Sequence, residues 1–518
     1  MNLLSLDNPS RRNTVKILAI GGYAVMVIDI IRGLAFVPLY LYYLDDRLYG
    51  LWLGTGGIIA VLAFLDMGIA TLVIQRISRE YGKKKFDGIS TYFFSGLLIN
   101  AFFMSILFLA GYVLSMNLGS FFKQMSTEET EVLAVAFQVA LVALILGLMN
   151  NLVEGTLNAL QKPLFGKITQ IIAATLGLIT TYIMLVKRET VIAIPAGMMV
   201  RTVVSILPNL VYLFLLFSKN HIKMFTLRWV TMKDYLLLTP NLLLSKGGTS
   251  LVGNIEPTLI NMFLTPEIAV YFSVTKTAGG LIKTVLDRVG GVLYASMAHL
   301  FADSKLEKFR GFCIKLINLL LPISLLAFSA FVILNKAFVG LWVGSENYLG
   351  DLMTVLIALS LILSYFSNTL SYLLSTTGDI KFPSNAVFFE SMIKLALLYL
   401  LLKFLGVYGL PIAIAATSGI FIALYIWRWN RHLKLGSQQK RIIFKTTLKI
   451  LLALIVATIT LYKIIDAIII HGFLEFFLFG ALVCITLVVT TVLFNAPIKS
   501  FFTRKISLFK TYATSKRH

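Results

Sequence analysis

Four ionisable residues, Lys276, Lys283, Asp287 and Arg288, sit inside one apolar stretch, Tyr271 to His299, which reads YFSVTKTAGGLIKTVLDRVGGVLYASMAH. A helix needs about 20 mainly apolar residues to cross a bilayer, and this stretch is long enough. An ionisable side chain near the bilayer centre costs roughly 2.5–3.5 kcal/mol on insertion scales, so these groups must face protein or water. Lys276, Gly280, Lys283 and Asp287 fall at i, i+4, i+7 and i+11, which is one helical face. That face is small, polar and net positive. It predicts the wall of a basic, water-filled cavity.

Further charges fall within apolar segments. Asp29 and Arg32 stand one turn apart, and Asp66 lies in LDMG. Glu154 falls near a segment end, and Arg201 lies between Pro195 and Pro208. Lys246 adjoins Gly247 and Gly248, Glu256 precedes Pro257, and Glu390 and Lys394 are spaced i, i+4. Two readings compete at each position. Asp29 and Arg32 could be a self-neutralising pair, or a cavity cation oriented by its neighbour. A buried ion pair is rarely favourable in itself, which tilts the balance towards a cavity. Glu before Lys at i, i+4 is the preferred helix pair, so Glu390 and Lys394 read as structural. The cationic set for an anionic ligand is then Arg32, Arg201, Lys246, Lys276, Lys283 and Arg288. Asp29, Asp66, Glu256 and Asp287 are the orienting or ion-coupling acids. A net-positive cavity in a low-dielectric wall attracts anions, and Arg and Lys are the usual partners of phosphate oxygens. A diphosphate headgroup fits several converging cations, and a cationic drug would be repelled.

A polar run could serve a sugar: Ser364, Tyr365, Ser367, Asn368, Ser371, Tyr372 and Ser375. Asn368, Tyr365 and Tyr372 are its strongest candidates for a sugar path. Helix packing through small and polar residues explains the same pattern.

The elements that position these groups are helices in a membrane. The chain has 518 residues, 58% hydrophobic and 14% charged, with a net charge of +22. Its mean hydropathy is +0.86, outside the range of soluble domains. We count about fourteen spanning segments by length and apolar content, with cores near 16–43, 48–78, 89–115, 132–160, 165–186, 191–217, 235–263, 268–299, 311–335, 352–376, 384–403, 409–429, 446–465 and 473–495, which makes an all-α polytopic membrane protein. About 32 of the basic residues fall in alternate loops and at the termini, as the positive-inside rule expects, and this places both termini in the cytoplasm. That topology explains the net charge without nucleic acid. The first apolar run follows Arg11, Arg12 and Lys16 and lacks a cleavage site, so no signal peptide is expected. The longest outward loops, Met116 to Glu131 and near Lys336 to Asp351, are too short to fold as domains. Cys313 and Cys484 lie apart in apolar runs, so neither a disulfide nor a metal or other cofactor is expected.

A weak internal repeat has an offset on the order of 220 residues. VIAIPAGMMV parallels GLPIAIAATSG, and LNALQKPLFGK parallels LSTTGDIKFPS. The organisation expected is a lobe at 1–217, a cytoplasmic linker at 218–234 and a second lobe at 235–430. A basic loop at 431–445, two additional helices in 446–495 and a basic tail at 496–518 complete the chain.

YGLW (Tyr49 to Trp52), FLDMGIATLVIQRISREYGK (Phe64 to Lys83), VYFSVTKTAGGL and TGDIKFP followed by GVYGLPIAIAAT carry a resemblance. The chain resembles the multidrug/oligosaccharidyl-lipid/polysaccharide exporter superfamily, in its polysaccharide transporter branch of O-antigen-type flippases. The resemblance implies two six-helix lobes around a central cavity and alternating access. It implies a polyprenyl-diphosphate-linked oligosaccharide flipped to the outer leaflet of a bacterial inner membrane, with Arg32, Lys246, Lys276 and Lys283 as candidate cavity cations. It is compatible with coupling to H+ or Na+, and with polysaccharide polymerase and chain-length machinery as partners. The proline-asparagine and arginine-rich motifs of a lipid II flippase are not found. A lipid II-type flippase and a drug/cation antiporter remain the alternatives. A membrane glycosyltransferase or ligase would need a larger outer loop.

Overall fold

The computed structural model describes residues 11–63, 68–122, 125–188, 190–239, 253–302, 306–379, 381–433, 437–468 and 470–494. Among these the regular structure is helical throughout. The chain divides into two compact units, Met1–Val270 and Tyr271–His518.

Unit one opens with α1 (Arg11–Leu62), which breaks at Asp45 (φ 61, ψ 170). Asp45 Oδ1 accepts the backbone N–H of Leu48 at 2.8 Å, so the break also caps the second half of the helix. Then come α2 (Ile69–Gly82), α3 (Asp87–Met116), the short α4 (Leu118–Phe121) and α5 (Thr127–Ala159). A capping box of Ser126 and Glu129 starts α5. The next helices are α6 (Pro163–Val186), α7 (Ala193–Lys219), α8 (229–239) and α9 (Glu256–Phe263). A core of Val73, Ile77, Phe93, Leu152, Phe217 and Tyr235 joins α2, α3, α5, α7 and α8.

The YGLW segment has a packing role. Gly50, Gly54 and Gly57 line one side of α1 after the break, and α9 lies against them. Asn261 Nδ2 donates to the Gly50 carbonyl at 2.9 Å, and Thr258 Oγ1 donates to that of Gly54 at 2.7 Å. A Cβ at Gly54 would come within 2.6 Å of Asn261 Nδ2. Glycine is therefore what lets these side chains reach the α1 backbone.

α10 (Pro266–Ala302) begins in unit one and continues into unit two. After it come α11 (Leu306–Val343), α12 (Asp351–Ser375), α13 (Lys381–Leu405) and α14 (Gly409–Leu433). The last helices are α15 (Ser437–Asp466) and α16 (Phe473–Phe494). Leu316, Leu320, Leu374, Phe421, Tyr425 and Trp429 form one core through α11, α12 and α14. α15 and α16 pack on α11 through a separate cluster, Ile333, Ile450, Leu454, Ile465, Val483 and Leu487.

Ten helical stretches among the described residues are long and apolar enough to cross a membrane. Lys381–Arg431 holds two of the segments expected from sequence, and Asn13–Leu62 holds the first and the beginning of the second. The segment expected over 235–263 falls partly outside the described residues. The one over 268–299 is α10, whose charges distinguish it from the others. Large apolar side chains stand exposed along α3, α6 and α16, among them Phe102, Leu109, Ile172, Ile179, Phe477 and Leu482. A multi-pass membrane protein turns such faces to lipid.

Candidate functional site

Unit one contains a cavity of about 320 Å³. α1 contributes Arg32, Gly33, Val37 and Tyr40 before its break, and Tyr49, Trp52, Gly56 and Ile59 after it. α6 contributes Ala174, Gly177, Leu178 and Thr181, and α7 contributes Ile194, Gly197, Met198 and Arg201. The wall is thus apolar and aromatic, with two guanidinium groups. Tyr40 and Tyr49 lie with ring centroids 5.3 Å apart, which places two phenol rings side by side in it.

Glycines explain how α7 reaches this position. A Cβ at Gly177 would sit 2.7 Å from the Gly197 carbonyl oxygen and 2.9 Å from Arg201 Cβ. The α6 and α7 backbones can approach only because neither residue has a side chain. The approach sets Arg201 against α1. Its guanidinium grips the Asp29 carboxylate as a fork, Nη1 to Oδ1 at 2.7 Å and Nη2 to Oδ2 at 3.4 Å.

That contact adds a closer partner to the pairing expected from sequence. Arg32, one turn from Asp29 on the same helix, is 3.8 Å from Oδ1. Across-helix geometry allows a planar fork to meet a carboxylate edge-on, whereas the i, i+3 spacing brings Arg32 only to the margin of contact. Asp29 therefore orients Arg201 first, and the Arg32 side chain keeps 45% of its surface exposed. Two cations against one carboxylate leave the site net positive.

In unit two, the sequence-predicted face of α10 is partly realised. Thr275 and Gly279 form the packed side of that helix. Asn335 of α11 donates to the Thr275 carbonyl at 3.0 Å, and a Cβ at Gly279 would meet Leu361 and Phe331. Gly280 points the other way, with open space where a Cβ would be. Lys276 shares that side, its Nζ 5.7 Å from the centre of the Phe272 ring. Lys283 donates to Asp287 at 2.6 Å, one turn on. Arg288 is exposed and lies off this face. Glu256 is buried in the first turn of α9. Asp66 and Lys246 lie outside the described residues.

The polar run on α12 divides. Ser367 is buried and donates to Glu390 at 2.9 Å, and Ser375 bonds back to the Ser371 carbonyl. Tyr365 is completely buried, so it packs and lines no open path. Asn368 is half-buried, and Tyr372 is exposed.

Two buried networks carry more than the sequence suggested. Glu390 and Lys394 pair at 3.0 Å inside unit two, and Ser418 donates to the same carboxylate at 3.3 Å. The pair is the i, i+4 type expected, and it lies in the packing of α12, α13 and α14. Glu154, near a segment end in the sequence, is also buried and receives Lys167 Nζ at 2.8 Å together with Gln170. Asn150, Ser205, Asn209 and Thr169 form a separate hydrogen-bonded chain across α5, α6 and α7. Lys167 and Gln170 were missed because both fall in the first turns of a helix, where polar residues are unremarked.

A family model described as MatE matches residues 53–183, from the second half of α1 to α6. Among solved structures, the lipid II flippase MurJ in an inward closed conformation aligns with a TM-score of 0.67 at 14% identity, covering 94% of this chain and 99% of that one. The chain has the MATE and MurJ transporter fold. An inward-facing multidrug resistance MATE family transporter of the MOP superfamily aligns at 0.56 and 15% identity, covering 83% of this chain and 99% of its own. A MOP superfamily transporter from Pyrococcus furiosus, described as having a binding pocket of reverse polarity that suggests a different function, aligns at 0.53 and 18% identity, with 84% and 99% covered. Comparison with curated proteins gives no match.

Proposed function

We propose that this chain is a flippase of the MOP superfamily. Its cargo is a polyprenyl-diphosphate-linked oligosaccharide, moved from the cytoplasmic to the outer leaflet of a bacterial inner membrane for surface polysaccharide synthesis. The observation that carries this reading is the cavity of unit one, where Arg32 and Arg201 share an apolar, aromatic wall. Guanidinium groups recognise phosphate oxygens by paired, charge-assisted bonds. Tyr40, Tyr49 and Trp52 offer flat faces to the prenyl chain or to a sugar. A cationic drug would meet two positive charges, which disfavours the drug/cation antiporter. Lys246, Lys276 and Lys283 are further candidate cations for a phosphate, and Asn368 and Tyr372 are candidates for the sugar. No step of this function needs bond-breaking chemistry or a cofactor, and H+ or Na+ coupling is part of the proposal. A polysaccharide polymerase and chain-length machinery would take up the product.

A lipid II-type flippase is the second reading, and one observation favours it. The MurJ structure covers 94% of this chain against 84% for an outward-facing MATE transporter. That margin is close to the share of the chain in α15 and α16. Both cargoes carry the diphosphate that the cavity would hold. Complementation separates them. The first reading expects rescue of surface polysaccharide export in a strain lacking its flippase, and loss of that rescue in Arg32→Ala at normal membrane abundance. Rescue of cell-wall precursor flipping in place of polysaccharide export would favour the second.

A further inference from the structure

We propose that the Asp29 carboxylate is an internal counter-anion, holding the Arg201 fork until a phosphate-class anion takes it, and so sets the affinity threshold that an anion must clear to occupy the cavity. The inference rests on the diphosphate reading above. Three features of the site carry it. Arg201 lines the cavity, yet both of its outer nitrogens are directed to Asp29, at 2.7 and 3.4 Å. A carboxylate presents two oxygens to the fork, as a phosphate does, so one can replace the other without moving the guanidinium. Arg32 stands 3.8 Å from the same Asp29 oxygen. A displaced carboxylate therefore keeps a cation within reach and is not stranded, which is the large cost when a buried charge loses its partner.

The threshold follows from the competition. A monoanionic carboxylate gains from Arg201 no more than Asp29 already does, so the exchange is even. A diphosphate brings more charge and more oxygens, and the exchange runs in its favour. The apparent dissociation constant for any anion is its intrinsic value divided by the fraction of molecules in which Arg201 is released. Asp29 thus weakens every anion by the same factor and leaves their order unchanged: it sets a threshold that a diphosphate clears and a monocarboxylate does not.

The test uses the full chain in lipid nanodiscs, with Cys313→Ser and Cys484→Ser and a reporter thiol from Gly33→Cys. Gly33 lines the cavity, and a Cβ there meets nothing within 4 Å. Protection of the thiol from a water-soluble maleimide is titrated with inorganic pyrophosphate, farnesyl diphosphate and acetate. With Asp29 present, both diphosphates protect, and acetate does not at tenfold higher concentration. Pyrophosphate as effective as farnesyl diphosphate points to a free diphosphate as the source of the ligand chemistry, and farnesyl diphosphate acting at lower concentration points to a lipid-borne one. In Asp29→Asn, half-protection by pyrophosphate moves to roughly tenfold lower concentration, and acetate begins to protect. Asp29→Glu keeps the original order. Asp29→Ser carries the same expectation as Asp29→Asn if the latter is recovered poorly. Unchanged or weaker pyrophosphate protection in the neutral variants overturns the counter-anion and leaves the diphosphate site standing. Equal protection by acetate and pyrophosphate with Asp29 present also overturns it. No protection by either diphosphate in any variant removes the diphosphate reading itself.

Discussion

Arg32→Ala isolates headgroup binding from folding better than any other substitution in the cavity. Arg201 carries the fork to Asp29, so removing it would also leave a half-buried carboxylate without its main partner. Arg32 is 3.8 Å from Asp29 and nearly half exposed, so its loss should change stability little. If it meets a phosphate oxygen, the lost charge-assisted bond is worth about 1.5–3 kcal/mol. Affinity for the headgroup should fall by roughly one to two powers of ten. Arg32→Lys keeps the charge and loses the planar fork, so it should retain part of the activity. The assay is complementation of surface polymer export, with membrane abundance measured on the same cells. A Lys276→Ala partner substitution should deepen the defect, because Lys276 is a second candidate cation. Full export from the Arg32→Ala, Lys276→Ala double variant at normal abundance would refute the reasoning, and the flippase reading would then rest on fold similarity alone.

Three further outcomes are expected. Breaking the buried pair with Lys394→Met leaves Glu390 charged among α12, α13 and α14 and should lower thermal stability sharply, whereas Glu390→Gln with Lys394→Met should recover much of it, read as melting in detergent. Gly54→Val drives a branched side chain against Asn261 and should destabilise the α1–α9 seam by about 1–3 kcal/mol or more, seen as reduced membrane abundance. Reporter fusions at Ser126 and Ser345 should read outside and those at Lys84 and Gln438 inside; an inside signal at Ser345 would reverse the assigned topology of the second half.

Helices were legible wherever apolar length alone decides them. The break at Asp45 falls in the gap between the first two segments expected from sequence, because YLDDRLYG interrupts the apolar run there. The polar face of α10 was legible for the same reason: charges are rare enough in such a segment that their spacing shows the face. Burial was harder to read. Glu154 and Glu390 lie near the ends of their apolar runs, where an interfacial position costs least, and nothing local reports the polar partners that bury them. Those partners, Lys167 and Gln170 on α6 and Ser418 on α14, come from other helices.

The Asp29 pairing shows where local reasoning stops. From sequence, the nearest opposite charge was Arg32, one turn away, and proximity along the chain favoured it. The structure gives Asp29 its shorter contact with Arg201, 172 positions away, and the deciding residues carry no charge. Gly177 and Gly197 set the distance between α6 and α7, and that distance sets whether Arg201 reaches α1. Bulk at either glycine would push α7 outward by the width of a methyl group or more. The 2.7 Å contact would open, and Arg32 would become the better partner of Asp29 by default. The electrostatics of the cavity are thus fixed by two residues without side chains, and a search for charged motifs alone would pass over them.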